Sequence, residues 1–398
     1  MARFKNPSIF AILDRIMNMT EIVDEATLDP ERQRKAKEYA RISRRLFVVD
    51  LVIGAAYLIV WIVSGLSPWL RDQVYLLTQA TWLSVPLFAL GMGLPYGILM
   101  SPLEYYSGFV LPHKYEQSTQ TLKAWLLDQL KSLLISTGLG LIVIEVIYWL
   151  LGAAPQTWWL WAALVMVILT VLLSNLAPVL IFPLFFKYKP LEDELLVDRL
   201  TRLAAQAGAR VKGVYVFDMS SKTVAANAAL MGLGNTRRIV LGDTLTAKFS
   251  ADEIETVLAH ELGHHVHKDI PIGIVVQSLL TLVGFWLANL VMHWGIALLG
   301  YTGLTDPAAL PLFVVAMSVF GLVTMPLGNA WSRWREGMAD EYALETTQHP
   351  QAFISAMTRL ANQNLADAEP PAWVEFLLHG HPSISKRVKM AENFGVQN

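Results

Sequence analysis

Residues 251–269 read ADEIETVLAHELGHHVHKD, and residues 270–299 continue without a break as IPIGIVVQSLLTLVGFWLANLVMHWGIALL. The first stretch is polar and helical in pattern, with Ser250 as N-cap and Glu253 three residues later in the capping-box position. The second exceeds the ~20 apolar residues that cross a hydrocarbon core. On the polar helix His260 and His264 lie four apart, hence on one face and one turn apart, where two imidazoles reach a single ion. Glu261 projects beside them, placed to take a proton from an attacking water. The chain contains no cysteine, so a metal must be held by His, Asp or Glu, and thiolate sites, disulfides and a cysteine nucleophile are excluded.

Of 398 residues, 54% are hydrophobic and 16% charged, and the mean hydropathy is +0.42, which favours a membrane class. A formal net charge of -2 offers no concentrated basic surface for nucleic acid. Residues 1–46 form a polar arm ending in Arg41, Arg44 and Arg45, without a signal-peptide pattern, and are expected to stay in the cytosol. Spans are predicted at 47–65, 82–103, 133–151, 158–186, 270–299 and 309–328, four before the polar helix and two from it onward. With the amino terminus inside, the loops at 66–81, 152–157 and 300–308 fall outside, and Arg71 is their only Lys or Arg. Trp158, Trp159 and Trp161 cluster where the fourth span would enter the outer interface.

The expected fold is therefore mainly α: a multi-pass transmembrane bundle (47–186 and 270–328) with a cytosolic zinc protease region of the gluzincin type, drawn from 187–269 and 329–398 and containing a small β-sheet. Within the spans, Glu145, Asn175, Gln277, Asn289 and His293 are polar groups expected to bond between helices or to face a wet cavity. Strands are predicted at 213–217 and within 227–241, with a turn at Gly234-Asn235. A strand edge there could pair with an extended peptide.

Two histidines leave a catalytic zinc site one protein ligand short. The region after the sixth span reads NAWSRWREGMADEYAL, residues 329–344, a helical stretch in which Glu336 and Asp340 share a face. Glu336 is the expected third ligand to one Zn2+, and Asp340, one turn on, is expected to accept a hydrogen bond from a ligand histidine.

The His-Glu-Leu-Gly-His helix, the Ser332-Arg333 pair and Glu336-x-x-Ala-Asp340 resemble the zinc-dependent type I CAAX prenyl proteases and, more distantly, the HtpX-type membrane proteases. Residues 226–245, with Asn227-Ala228, Gly232 and Asp243, look like that family's strand segment, and His381-Pro382 followed by Arg387 looks like its carboxy-terminal motif. The resemblance implies helices around a hollow chamber and a peptide or protein substrate, including prenylated ones. Asn227, where that strand edge begins, is the candidate for a side-chain contact to the substrate backbone, with Ala228 beside it, and the family pattern implies His381 or Arg387 as the second electrophile at the oxyanion. The eukaryotic enzymes carry seven spans, whereas here a polar arm stands in place of the first.

Three other readings stay open: a quality-control protease of misfolded membrane proteins, a transporter or scaffold with a structural zinc, and an intramembrane protease. The first gains weight in a bacterial inner membrane, which is favoured over the endoplasmic reticulum. Glu261 speaks against the second, because a closed structural site needs no base. The polar character of 251–269 speaks against the third.

Overall fold

A computed structural model describes residues 27–232 and 237–397. In chain order the main elements are helices α1 (Pro30–Val63), α2 (Leu66–Leu77), α3 (Thr81–Tyr105), α4 (Leu122–Ala153) and α5 (Trp158–Leu176), then β1 (Tyr188–Pro190), α6 (Glu194–Gln206), β2 (Val214–Phe217), β3 (Ala228–Met231) and β4 (Arg238–Gly242). They continue as α7 (Ala251–Val266), α8 (Asp269–Leu299), α9 (Leu310–Thr347), α10 (Pro350–Gln363), α11 (Ala372–Leu378) and α12 (Ile384–Gln397). The chain divides into two compact units, one drawn from 41–187 and 268–331 and the other from residues up to 40, 188–267 and 332 onward.

The first unit holds the apolar helices. Among the described residues six helical stretches, Pro30–Val63, Thr81–Lys114, Leu122–Ala153, Trp158–Leu184, Asp269–Leu299 and Pro307–Thr347, are long and apolar enough to span a membrane. Outward side chains such as Val52, Ile98, Leu134 and Leu279 are exposed, as lipid-facing surface is. The interior packs Phe88, Ile147, Leu151, Trp158 and Phe285. α3 carries Pro86, Pro95 and Pro102 and passes into a π-helical turn, Tyr106–Val110, the local adjustment by which a proline-bearing membrane helix keeps its backbone groups paired.

Among the described residues, Asn289 alone of the polar groups predicted in the spans makes an interhelical bond: its Oδ1 accepts from Trp158 Nε1 at 2.7 Å. Asn175, Gln277 and His293 bond instead to Val171 O, Thr281 Oγ1 and Asn289 O on their own helices. Glu145 Oε1 is buried with no hydrogen-bond partner among the described residues. Arg71, the one cation in the predicted outer loops, donates at 2.8 Å to the buried carboxylate of Asp306 and also to Asp72. That carboxylate further accepts from Thr302 N, Thr302 Oγ1 and Ala308 N, so the exception to the charge rule is a neutralised cation that locks a loop.

One boundary differs from the sequence reading. The arm expected up to residue 46 is helical from Pro30 and continuous with the first span. Asp29 Oδ1 accepts from the N–H groups of Glu31 and Arg32, and Pro30 fills the first helical position, an N-terminal signal that hydropathy alone overlooks. Residues 1–26 of the expected arm, and the Gly234-Asn235 turn, lie outside the described residues.

The second unit is built on a four-stranded sheet in the order β1-β2-β4-β3. β2 and β4 run parallel, whereas β3 is antiparallel to β4 with Ala228 opposite Leu241 and Leu230 opposite Ile239. The fully buried Ile239 and Leu241 share a core with Leu200 of α6, Leu258 and Leu262 of α7, Leu344 of α9 and Phe353 of α10. β1, three residues long, was not foreseen; it pairs antiparallel with β2. β3 forms an edge and lies against α7.

Candidate active site

α7 begins as its sequence predicts. Ser250 Oγ accepts from Glu253 N and Glu253 Oε2 accepts from Ser250 N, which completes a capping box. The other Glu253 oxygen lies 3.0 Å from Arg359 Nε and accepts from Ser355, tying the start of the helix to α10 in the buried interior. Ile254, Leu258 and Leu262 bury one face of α7, and the other presents His260, Glu261 and His264. At the end of the helix His267 O accepts from Arg335 Nη2 at 2.6 Å, so α9 secures both the body and the end of α7.

The two helices meet at Gly263. A Cβ there would stand 2.8 Å from the Ala339 Cα, closer than packed atoms tolerate, so only glycine allows this approach. Gly263→Ala is therefore expected to push α9 outward and to move Glu336 away from both histidines. The gain in helix propensity, about 1 kcal/mol, is smaller than the ~1–3 kcal/mol cost of overpacking. A lower unfolding temperature with reduced bound metal should result; unchanged values for both would show that the contact is slack.

The close approach brings together the three residues that spacing selected. His260 Nε2 lies 3.2 Å from Glu336 Oε2, and His264 Nε2 lies 3.5 Å from Glu336 Oε1. One ligand atom from each lies within 4.8 Å of the others. Metal–ligand bonds of about 2.0–2.2 Å in a tetrahedron separate the ligand atoms by roughly 3.3–3.6 Å, close to the spacings here. Glu336 Oε2, although buried and near His260, completes no well-formed hydrogen bond, as expected of an oxygen aimed at an ion. Burial disfavours the His260 imidazolium, but the carboxylates of Asp340 and Glu336 close against its two nitrogens outweigh it and lift its pKa to about 9. Burial likewise works against a charged Glu336, yet His260 and His381 hold its carboxyl below the usual carboxylate range. The cluster favours positive charge at its centre, and the donor set fits a divalent cation.

His260 Nδ1 donates to Asp340 Oδ1 at 2.8 Å, which turns Nε2 toward Glu336 and fixes the tautomer, as the i, i+4 spacing of Glu336 and Asp340 predicts. Asp340 is fully buried and held by Arg387, whose Nε donates to Oδ2 at 2.8 Å and whose Nη2 donates to Oδ1 at 2.5 Å. The same Nη2 lies 3.3 Å from His260 Nδ1. The expected second electrophile Arg387 is thus buried behind the histidine, its guanidinium turned to a carboxylate; a separation of 47 residues gave no spacing signal for that pair. His381, by contrast, is mostly exposed, and its Nε2 lies 3.2 Å from Glu336 Oε1.

Glu261 lies beside the imidazoles, and burial raises the pKa of its carboxyl while the neighbouring histidines temper the rise. Asn227 is exposed where β3 begins, but its Oδ1 accepts from the Ala228 N–H at 2.9 Å, so the side chain folds onto its own strand; the Ala228 side chain is buried. His265 and His267 lie off the cluster, with His265 Nε2 at 3.4 Å from Arg237 Nη1 and the His267 ring against Tyr342.

Apolar helices of spanning length, joined to a centre of two histidines and a glutamate with a second glutamate beside it, define a multi-pass membrane metalloprotease. Comparison with known proteins agrees. The profile of the CAAX prenyl protease amino-terminal region, described as five membrane helices, matches residues 18–187, and that of peptidase family M48 matches residues 190–394. Among curated proteins, the uncharacterized metalloprotease YhfN of Bacillus subtilis is 31% identical over 92% of this chain and 86% of its own. CAAX prenyl protease 1 of Saccharomyces cerevisiae is 28% identical over the same shares. The crystal structure of S. mikatae Ste24p superposes with a TM-score of 0.82 at 25% identity, covering 92% of this chain and 90% of that one. The chain belongs to peptidase family M48. Its segment matched to five membrane helices contains four stretches of spanning length among the described residues.

Proposed function

We propose that the chain is a zinc-dependent endopeptidase that cleaves membrane-associated peptides on the cytosolic side of its bilayer. The observation that carries this reading is the convergence of His260, His264 and Glu336 with Glu261 next to them. A zinc ion held by the first three would polarise a scissile carbonyl and acidify a water molecule. Glu261 accepts the proton of the attacking water and later delivers it to the departing amine; its raised proton affinity suits both tasks. The exposed His381 imidazole is the donor we assign to the developing oxyanion. Arg387, occupied by Asp340, keeps His260 in register instead. The outer edge of β3 is the surface to which an extended substrate would add as a strand, with Ala228 at its first position and Asn227 just before it.

The cytosolic placement rests on the distribution of Lys and Arg among the loops, and a bacterial inner membrane is favoured because YhfN is bacterial. The prenyl specificity in the name of the S. cerevisiae relative is the finer part of the proposal. A farnesylated peptide ending in Cys-a-a-X and its unlipidated twin, both assayed with the full chain in membranes, test it. Chelation by phenanthroline should abolish cleavage and added zinc restore it. The lipidated peptide should be preferred at least ~10-fold, the effect of burying even a small part of an apolar chain. Equal cleavage would favour clearance of unlipidated membrane proteins, the reading that fits a bacterial host. Cleavage that persists under chelation would overturn the metal mechanism.

A further inference from the structure

His381 has little packing of its own. Its side chain is 68% exposed, yet its Nε2 stands 3.2 Å from the buried carboxylate of Glu336. An exposed imidazole keeps such a position only if the backbone beneath it is held. The loop between α11 and α12 is gripped at both ends. On the α11 side Arg333 Nη1 donates to carbonyls where the helix ends, 2.6 Å from His379 O, 3.3 Å from Phe376 O and 2.8 Å from Glu375 O, the last of which also accepts the His379 N–H. The guanidinium also lies over the Phe376 ring, 5.9 Å from its centroid. On the α12 side the buried Glu375 carboxylate accepts from Lys386 Nζ at 2.9 Å on both oxygens and from the Ser383 N–H at 3.4 Å. Pro382, between His381 and Ser383, restricts the backbone further.

Arg333 lies on α9, three residues before Glu336 and so on a neighbouring part of the helix surface. One rigid helix therefore presents the third ligand and anchors the loop that brings His381 to it. We propose that Arg333 is a positioning residue for the reaction: it holds the 379–383 loop so that the His381 imidazole stays at the Glu336 carboxylate, and Glu375 completes the clamp. The inference rests on the assignment of His381 as oxyanion donor.

A thermodynamic cycle on the full chain, with an internally quenched farnesylated peptide as probe, tests it. Arg333→Ala should lower kcat roughly 10- to 100-fold, the range a misplaced donor produces, with KM changed less than about 2-fold and bound metal unchanged. Because the three carbonyls converge on one nitrogen, Arg333→Lys should recover most of the loss, which a gap in packing would not predict. This milder variant also reports on the clamp if the alanine protein folds poorly. Glu375→Gln should fall in the same direction. In a His381→Ala background, Arg333→Ala should cost no more than about a further 2-fold, because both changes remove the same interaction. If the losses multiply, or if Arg333→Ala strips the metal, Arg333 acts by another route and the proposal is overturned. If His381→Ala alone leaves kcat intact, the assignment of His381 fails and takes the clamp's catalytic role with it, an outcome distinct from multiplying losses.

Discussion

Replacing Glu261 with glutamine is expected to reduce turnover by about 10²–10⁴-fold, the usual contribution of a positioned general base, equivalent to roughly 3–5 kcal/mol of barrier. Glutamine has nearly the same shape and can still accept a hydrogen bond from water, but it cannot carry a proton from water to the amine. The carboxyl lies beside His260, His264 and Glu336 but outside the group that could hold an ion, and its proton affinity is raised chiefly by burial. Removing it should therefore leave the metal in place. Kinetics on the probe peptide together with elemental analysis of the same preparation measure both parts. Turnover within ten-fold of wild type would remove Glu261 from the reaction, and loss of metal would make it a ligand instead.

Glu336→Ala should have the complementary effect: bound metal falls to below about a tenth of an equivalent after dialysis, and activity disappears with it. Three imidazoles converge on this carboxylate, those of His260 and His381 at 3.2 Å and that of His264 at 3.5 Å. Without it two imidazoles on one helix face remain, too few donors to retain an ion against a chelator. Asp340 offers no substitute, since both its oxygens are engaged by Arg387 and His260. Glu336→Asp, which keeps the charge but shortens the reach, should bind metal weakly, and an unchanged stoichiometry in the alanine variant would exclude Glu336 from coordination.

The parts of this molecule legible from sequence are those encoded at short range. The capping box at Ser250 and Glu253, the i, i+4 pair His260 and His264, and the i, i+4 pair Glu336 and Asp340 each report a geometry that a helix enforces locally. The long apolar runs were equally plain, because of the structures that satisfy the backbone in lipid only the helix needs an unbroken run of ~20 apolar residues. What escaped was long-range or very short. The partner of Arg387 lies 47 residues away, and nothing in the spacing distinguishes a guanidinium aimed at substrate from one aimed at a buried aspartate. β1 spans three residues, too few for alternation to register. The start of α1 was written in Asp29-Pro30-Glu31 but masked by the basic run that follows. Gly263 sits mid-helix, where glycine weakens the helix, and only the facing Ala339 explains it.

The centre is drawn from His260 and His264, from Glu336 and Asp340, and from His381 and Arg387, widely separated along the chain and delivered in that order during translation. When the first two pairs have left the ribosome, the aspartate that orients His260 still lacks the guanidinium that holds it. A nascent chain therefore carries its described apolar segments through membrane insertion before His381 and Arg387 are synthesised, and the group around Asp340 is completed only after the last of those segments. Termination between residues 348 and 380 should thus yield an inserted chain in which Asp340 lacks the Arg387 brace and Glu336 lacks the His381 contact.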